Sequence, residues 1–227
     1  LTLKVGEAHS CVIKADGKVF CWGQQGAEGR LGNNSSVSSV TPVPTEVSHL
    51  LGKKSFKQIS SGLHHSCGLN TSGRVQCWGR GDSGQLGNGN VDRLTPTEIL
   101  FSALPAGTFF QQVVSGDEFS CALTTTGSVF CWGYNQEGSL GSGNNGSSTQ
   151  PVSVVTSDIV DFQGFTKLTA GGLHACGLHA NGDLYCWGYG FYGQLGRDST
   201  FSSNKPVLVT NLQTPGLSKF MDMDGGD

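Results

Sequence analysis

The sequence predicts an all-β fold, a β-propeller segment of four repeats, and three observations carry that prediction. Tryptophans recur at Trp22, Trp78, Trp132 and Trp187, spaced by 56, 54 and 55 residues. Each closes a hairpin-like stretch that opens and ends on cysteine, and each is followed by Gly-x-Leu-Gly. A fixed period of this length marks stacked units that bury their faces against one another.

Composition agrees with that class. The 227 residues are 36% hydrophobic and 14% charged, and the 35 glycines fall at fixed offsets, so low complexity does not explain them. A net charge of −3 gives no electrostatic case for nucleic acid or an anionic membrane. No apolar run reaches the roughly 20 residues that span a bilayer. No basic stretch followed by an apolar one opens the chain, so any secretion signal was removed or lies outside this segment.

Taken in order, each unit begins with an opening strand, seen at Phe56, Phe110 and Phe165. A Gly-x-x-His-x-Cys follows, as in Gly6 to Cys11. The hairpin comes next: Cys11–Lys14 and Lys18–Cys21 flank Ala15-Asp16-Gly17, and the later copies have Thr71-Ser72-Gly73, Thr125-Thr126-Gly127 and Ala180-Asn181-Gly182. A three-residue loop ending in glycine suits a type I turn followed by a left-handed residue. Centring the hairpin on the middle loop residue sets Cys11 opposite Cys21, Cys67 opposite Cys77, Cys121 opposite Cys131 and Cys176 opposite Cys186. Period-two alternation then puts cysteines and aliphatics on one face, and the tryptophans with Phe20, Phe130 or Tyr185 on the other. The loop motifs are Gly29-Arg30-Leu31-Gly32, Gly84-Gln85-Leu86-Gly87, Gly138-Ser139-Leu140-Gly141 and Gly193-Gln194-Leu195-Gly196, and Pro42, Pro96, Pro151 and Pro206 mark the last strand. The repeats run approximately 1–55, 56–109, 110–164 and 165–219, and 220–227 reads as the opening strand of a fifth.

The repeated Cys-Trp-Gly, the Gly-Gln-Leu-Gly and the preceding Gly-x-x-His-x-Cys resemble the repeats of the regulator of chromosome condensation family across essentially the whole chain. The resemblance implies a seven-bladed propeller with one four-stranded blade per unit, blade and repeat boundaries being free to differ. The paired-cysteine form is similar to repeats of secreted bacterial proteins and of crinkly-type plant receptor ectodomains. Nothing matches the exchange-factor wedge or the basic chromatin-binding arm of the family's founding member. Four units fall short of seven. An isolated arc would expose Leu178 and Leu184, or Tyr185 and Trp187, on its last blade, and the reading expects these residues not to stand alone. Further repeats of the same polypeptide, or another chain, would cover them.

Eight cysteines permit many pairings, but facing positions across a short hairpin select four local disulfides, the pattern of an oxidising compartment. Reduced buried thiols and a zinc site are the alternatives; Cys-x9-Cys lacks zinc-knuckle spacing. His9, His65 and His174 share a position filled by Phe119 in the third copy, so packing near the propeller axis is expected rather than catalysis. Asp222, Asp224 and Asp227 lack the glycine and closing Glu of a calcium loop. No metal, cofactor or catalytic residue is expected. The loops after Cys-Trp-Gly diverge, and Tyr134, Asn135, Tyr189, Phe191 and Tyr192 are the candidate partner contacts. Asn33, Asn34, Asn70 and Asn145 head Asn-x-Ser sequons that would carry glycan in a eukaryotic secretory pathway. The function expected is an extracellular or cell-surface protein-interaction and structural scaffold, non-catalytic, with an extracellular assembly as the setting. A secreted inhibitor acting through the propeller face is the alternative, and a guanine-nucleotide exchange or chromatin-binding regulator is disfavoured by the cysteines and the charge.

Overall fold

In the computed structural model, which describes residues 2–48, 55–210, 220 and 223, sixteen strands form four antiparallel sheets. Blade I holds β1 (Thr2–Val5), β2 (His9–Ile13), β3 (Val19–Gln24) and β4 (Val40–Glu46). Blade II holds β5 (Phe56–Ser61), β6 (His65–Asn70), β7 (Val75–Gly79) and β8 (Arg93–Glu98). Blade III holds β9 (Phe110–Ser115), β10 (Phe119–Thr124), β11 (Val129–Gly133) and β12 (Ser148–Ser153). Blade IV holds β13 (Phe165–Ala170), β14 (His174–His179), β15 (Leu184–Gly188) and β16 (Ser203–Leu208). Strand order in every sheet follows the chain, and one short 3-10 turn at Phe101–Ala103 is the helical element among the described residues.

The middle two strands of each blade are the hairpin, in the register the alternation predicts. Cys11 pairs with Cys21, Cys67 with Cys77, Cys121 with Cys131 and Cys176 with Cys186. The loop glycines take φ of +81°, +74°, +85° and +88°, the conformation the three-residue turn requires. Each cysteine pair is a disulfide, with Cα atoms 4.0–4.2 Å apart, and no cysteine is free. Closing so short a loop stabilises the fold by at most about 3 kcal/mol per bond in the chain-entropy account.

Stacking of blades follows from the two-faced hairpin. Cys11, Ile13, Val19 and Cys21 of blade I bury against Trp78 and Phe56 of blade II. Cys67 and Cys77 meet Trp132 and Phe130, and Cys121 and Cys131 meet Trp187, with Tyr185 packed alongside. The three inner tryptophans are fully buried, whereas Trp22 and Phe20, on the far face of blade I, are half-buried. The direction of stacking decides which side of blade IV faces outward. It is the side of Cys176, Cys186 and Leu184, against which Met223 packs, and not that of Trp187.

Opening strands lie innermost and pack on one another, β1 on β5, β5 on β9 and β9 on β13. Their exposed edges are capped by side chains of the preceding blade. Val113 N–H donates to Gln58 Oε1 (2.9 Å), Ser115 N–H to Ser60 Oγ (2.9 Å) and Leu168 N–H to Gln112 Oε1 (2.8 Å). A backbone bond recurs at each seam: the N–H groups of Phe56, Phe110 and Phe165 donate to the carbonyls of Gly17, Gly73 and Gly127. Phe220 N–H donates to Gly182 O at 3.0 Å in the same manner. Apart from Met223, the rest of the 220–227 stretch, Asp222, Asp224 and Asp227 included, lies outside the described residues.

Gly87 tests the seam. Its φ is +66° and a Cβ there would stand 3.0 Å from the Trp132 ring, while Gly107, at φ +78°, has nothing within 4 Å. Both alanine variants bear the left-handed backbone cost of about 1–2 kcal/mol. Gly87→Ala should lower the melting temperature further than Gly107→Ala, and equal losses would show that Trp132 accommodates the methyl group.

Candidate interaction face

In each blade the loop joining the third and fourth strands carries Gly-x-Leu-Gly, and in blades I to III the motif fastens that loop to the next blade. Leu31, Leu86, Leu140 and Leu195 are fully buried. The last glycine receives the next tryptophan: a Cβ on Gly32 would stand 2.7 Å from the Trp78 ring and one on Gly141 3.0 Å from Trp187. The indole N–H of Trp132 donates to Gln85 O (2.9 Å) and that of Trp187 to Ser139 O (3.0 Å). Two residues past the motif a second pin forms. Asn34 N–H donates to Leu94 O, Gly89 N–H to Thr149 O and Gly143 N–H to Asn204 O, all within 3.1 Å. The loops 25–39, 80–92 and 134–147 therefore leave one end of the blades already held in place, while 189–202 at the same end is held by bonds within blade IV and by Ser202 to Glu137.

Between the pins, side chains differ from blade to blade. Tyr189, Phe191 and Tyr192 pack on one another with centroids 5.4–6.4 Å apart, Tyr189 and Phe191 stacked and Tyr192 edge-on to both. Phe191 is 63% exposed, Tyr192 81%, and Phe201, which lies in the same loop, 77%. The three rings touch, so they form a ridge and not a cage. Tyr192 stands at the seam: its counterparts Ser83 and Glu137 bond across to Glu118 and Ser202 of the following blade. Tyr134 is half-buried and its hydroxyl donates to Gln136 Oε1 (3.0 Å).

Asn135 is corrected by its surroundings. It is fully buried, its amide donates to the carbonyls of Asn144 and Gly146, and its Oδ1 accepts from Leu140 N–H (2.8 Å). It braces the loop and presents nothing to a partner. Its counterpart Gln25, also buried, donates to Ser35 O. Phe201 is the residue the sequence reading missed; the signal was a lone aromatic in a polar run, Asp198-Ser199-Thr200-Phe201-Ser202-Ser203.

Asn70 is likewise corrected as a glycan acceptor. It is fully buried, and its Oδ1 accepts from the N–H groups of Ser72 and Arg74 inside the hairpin turn, leaving no room for a sugar. Asn33 is half-buried; Asn34 and Asn145 are exposed. Asn145 also uses its amide on Gln136 O and its Oδ1 on Asn204, tying blade III to blade IV.

The histidines lie between blades rather than in the axial mouth, whose lining includes Gly6, Gly62, Leu63 and Gly116 but neither His9 nor His65. His9 Nε2 is 2.8 Å from Ser66 Oγ, and His65 Nε2 is 2.8 Å from Ser120 Oγ. At the next seam Phe119 replaces the histidine and Ala175 replaces the serine. The exchange is paired, polar for polar and apolar for apolar. Burial holds the His9 pKa down to about 4, aided by Arg30 and His64, and that of His65 down to about 3, aided by His9 and His64. Both rings are neutral structural staples.

Charge is distributed unevenly. The loops at this end, which include 6–8, 62–64, 116–118 and 171–173 between first and second strands, contain eight carboxylates, three arginines and no lysine. Arg30 is paired with Glu28 in a largely buried contact, and Arg80 with Asp82 at 2.7 Å. Arg197 donates to Phe201 O (3.1 Å). Described lysines lie on strands or at the hairpin end, Lys14 and Lys18 among them. The Tyr189 phenol is pushed up by its packing, then by Tyr192 and Glu137. Among the described residues no group of three or more His, Cys, Asp or Glu could hold a metal.

A family model for the Regulator of chromosome condensation (RCC1) repeat matches residues 16–69, 72–123, 126–178 and 181–227. A second model of that repeat matches 56–85, 110–139 and 165–194. The longer matches start inside one blade's hairpin and run into the next blade, so repeat and sheet boundaries are offset. The chain is 32% identical over 216 residues to the ultraviolet-B receptor UVR8 of Arabidopsis thaliana, covering 93% of this chain and 46% of the receptor. It is 33% identical over 211 residues to the E3 ubiquitin-protein ligase HERC2 of Homo sapiens, covering 92% of this chain and 4% of the ligase. Among solved structures, human WBSCR16 superposes with TM-score 0.85 at 22% identity, over 100% of this chain and 55% of that one. Yeast RCC1 (Prp20), crystallised with Kap60, superposes with TM-score 0.77 at 25% identity, over 99% and 52%.

The paired exchange at the seams generates a double-mutant test. Ser120→Ala alone leaves the buried His65 Nε2 unsatisfied at a cost of about 1–3 kcal/mol, and His65→Phe alone removes one partner of Ser120 Oγ, which keeps Gln85 O at 3.2 Å, and costs less. The double variant, which copies the Phe119–Ala175 seam, should recover part of the loss; strict additivity in denaturant unfolding would remove the pairing. The same histidines set an acid limit. Their folded pKa values lie below the unfolded 6.5, so the unfolded chain binds protons first. Stability should fall as pH drops below 6.5, ceasing to fall through His9 near 4 and through His65 near 3. A His65→Phe/Ser120→Ala variant should show a shallower decline, and an unchanged slope would assign the acid limit to other groups.

Proposed function

The chain belongs to the Regulator of chromosome condensation repeat family, and from that membership we propose that it is a non-catalytic protein-binding scaffold working outside the cytosol, at the cell surface or secreted. The observation that carries the binding role is the ridge of half-buried Tyr189 and exposed Phe191, on a loop held by buried Leu195 and by Ser202, which bonds Gly190 N–H and Glu137. Large aromatics held rigidly in solvent give up little conformational entropy on contact and dominate interface energies. Support for the compartment comes from the cysteines, all eight of which are disulfide-bonded. Cross-links in every blade persist in oxidising surroundings and are rare in the cytosol. Asn34 and Asn145 are the accessible glycan acceptors in that setting, with Asn33 less so. The flanks of the arc, Trp22 with Phe20 on one side and the Cys176–Cys186 face on the other, are surfaces for further blades or for another chain.

Two measurements test this reading. In protein isolated from its own source, peptides from residues 1–227 should show no reactive thiol until reduced, then eight; free thiols among them in the untreated protein would withdraw the compartment. A photo-crosslinking residue at position 191 should capture a discrete partner in the native cells, while one at position 72, on the hairpin end, should not. Capture at neither position would remove the loop face as the binding surface.

A further inference from the structure

The aromatic ridge says where a partner touches, and the charge around it says what the partner is made of. The loop end is acidic without being a random excess: lysine is absent from all eight of its loops. Arg30 and Arg80 are already paired with Glu28 and Asp82, and Arg80 also reaches Glu118 at 4.0 Å, while Glu7, Asp92 and Asp198 are exposed to solvent. Glu137 joins this field to the ridge. It accepts from Ser202 Oγ (3.1 Å), and Ser202 Oγ in turn accepts from Gly190 N–H (3.3 Å), between Tyr189 and Phe191. At the seam before, Glu118 of the same blade accepts from Ser83 Oγ at 3.2 Å and lies 4.0 Å from the Arg80 guanidinium, staying part-exposed. The hydroxyl on Glu137 orients it without cancelling its charge, and Glu118 is offset only in part by an arginine that Asp82 shares.

Resting on the reading that the loop face binds protein, we propose that it receives a positively charged polypeptide segment running across blades III and IV. An apolar side chain of that segment packs against Tyr189 and Phe191, and its lysines or arginines lie over Glu137 and Glu118. The electron-rich faces of the exposed rings favour the same cations. Like-charge repulsion from the carboxylates turns acidic partners away, which provides selectivity as well as steering. A tight aromatic triad with touching rings leaves no slot for a lone ammonium, so the ligand is a peptide segment and not a small cation.

The test uses fluorescence anisotropy on the whole chain with a short peptide alternating arginine, leucine and glycine, and its counterpart with glutamate for arginine. The basic peptide should bind saturably at one per chain and weaken as salt rises through the screening range. Phe191→Ser should cost about tenfold in affinity, the size of an aromatic anchor. Glu118→Gln with Glu137→Gln should cost several-fold, and Lys18→Gln at the opposite end nothing. Thermal melts confirm that each variant is folded. Equal binding of the acidic peptide, or indifference to both Phe191→Ser and the double glutamine change, overturns the proposal, the latter by reducing it to generic attraction. Concentration-dependent self-association in light scattering that blocks the peptide overturns it too, because the face would then belong to a second copy. Capture at position 191 without any basic-peptide binding leaves the loop face as a binding surface and removes only the charge assignment.

Discussion

A four-stranded blade of this size is two apolar faces with little between them, and neither face is stable against water. The contact that resolves this is the indole of one blade lying over the last glycine of the preceding Gly-x-Leu-Gly. It closes the hydrophobic seam, and the Trp132 and Trp187 indole N–H groups are spent on the carbonyls of Gln85 and Ser139. The remaining structure is arranged around that contact. The glycine has to be glycine because the ring occupies the place of its Cβ and because the backbone is left-handed there. The leucine beside it anchors the loop, and the disulfide beneath fixes the hairpin whose other face carries that blade's own indole to the seam before. Repetition of one seam is therefore the source of the sequence repeat.

Polar groups at the seam follow the same logic. An inner strand of a propeller has an edge that no neighbouring strand covers, which elsewhere invites foreign pairing. Here Gln58, Ser60 and Gln112 reach across and take the N–H groups of the following inner strand. The His–Ser pairs close the buried part of the seam, and the Phe119–Ala175 variant closes it without polarity. Because a buried orphan donor or acceptor costs more than a made bond returns, both members have to change together. Neutral histidine is the form this arrangement stabilises, so the seams resist acid less well than an all-apolar seam does.

What the sequence disclosed and what it hid divide along that line. Strand order, hairpin register and the disulfide-facing positions were readable because each is set by spacing to a cysteine, a tryptophan or a turn glycine, and errors of one residue would invert a face. The direction of stacking was not readable: hairpin alternation is symmetric between Leu184 and Tyr185, and only the placement of Trp187 against blade III breaks the tie. Single polar residues were the weak point. Asn135 and Asn70 occupy loop and turn positions that look exposed in a sequence, yet both are buried because their amides serve backbone groups of their own turn. Phe201 was passed over because it sits nine residues beyond the ridge in sequence and only the loop's return brings it back.

A scaffold of repeats faces a particular difficulty in making one specific surface, since every blade tends to present the same one. Here the problem is divided between positions. Those that meet the next blade repeat: the glycines, the buried leucine, the tryptophan. Those between the pins carry Glu28 and Arg30 in blade I, an Arg–Asp pair in blade II, Tyr134 and Gln136 in blade III and a run of aromatics in blade IV. Ion pairs quiet the face over the first two blades, and over the last two the aromatics lie beside Glu137, which a hydroxyl holds without neutralising it. Since loop tips contribute little to seam stability, these positions are free to change without disturbing the stack, and recognition on this protein is thereby separated physically from folding.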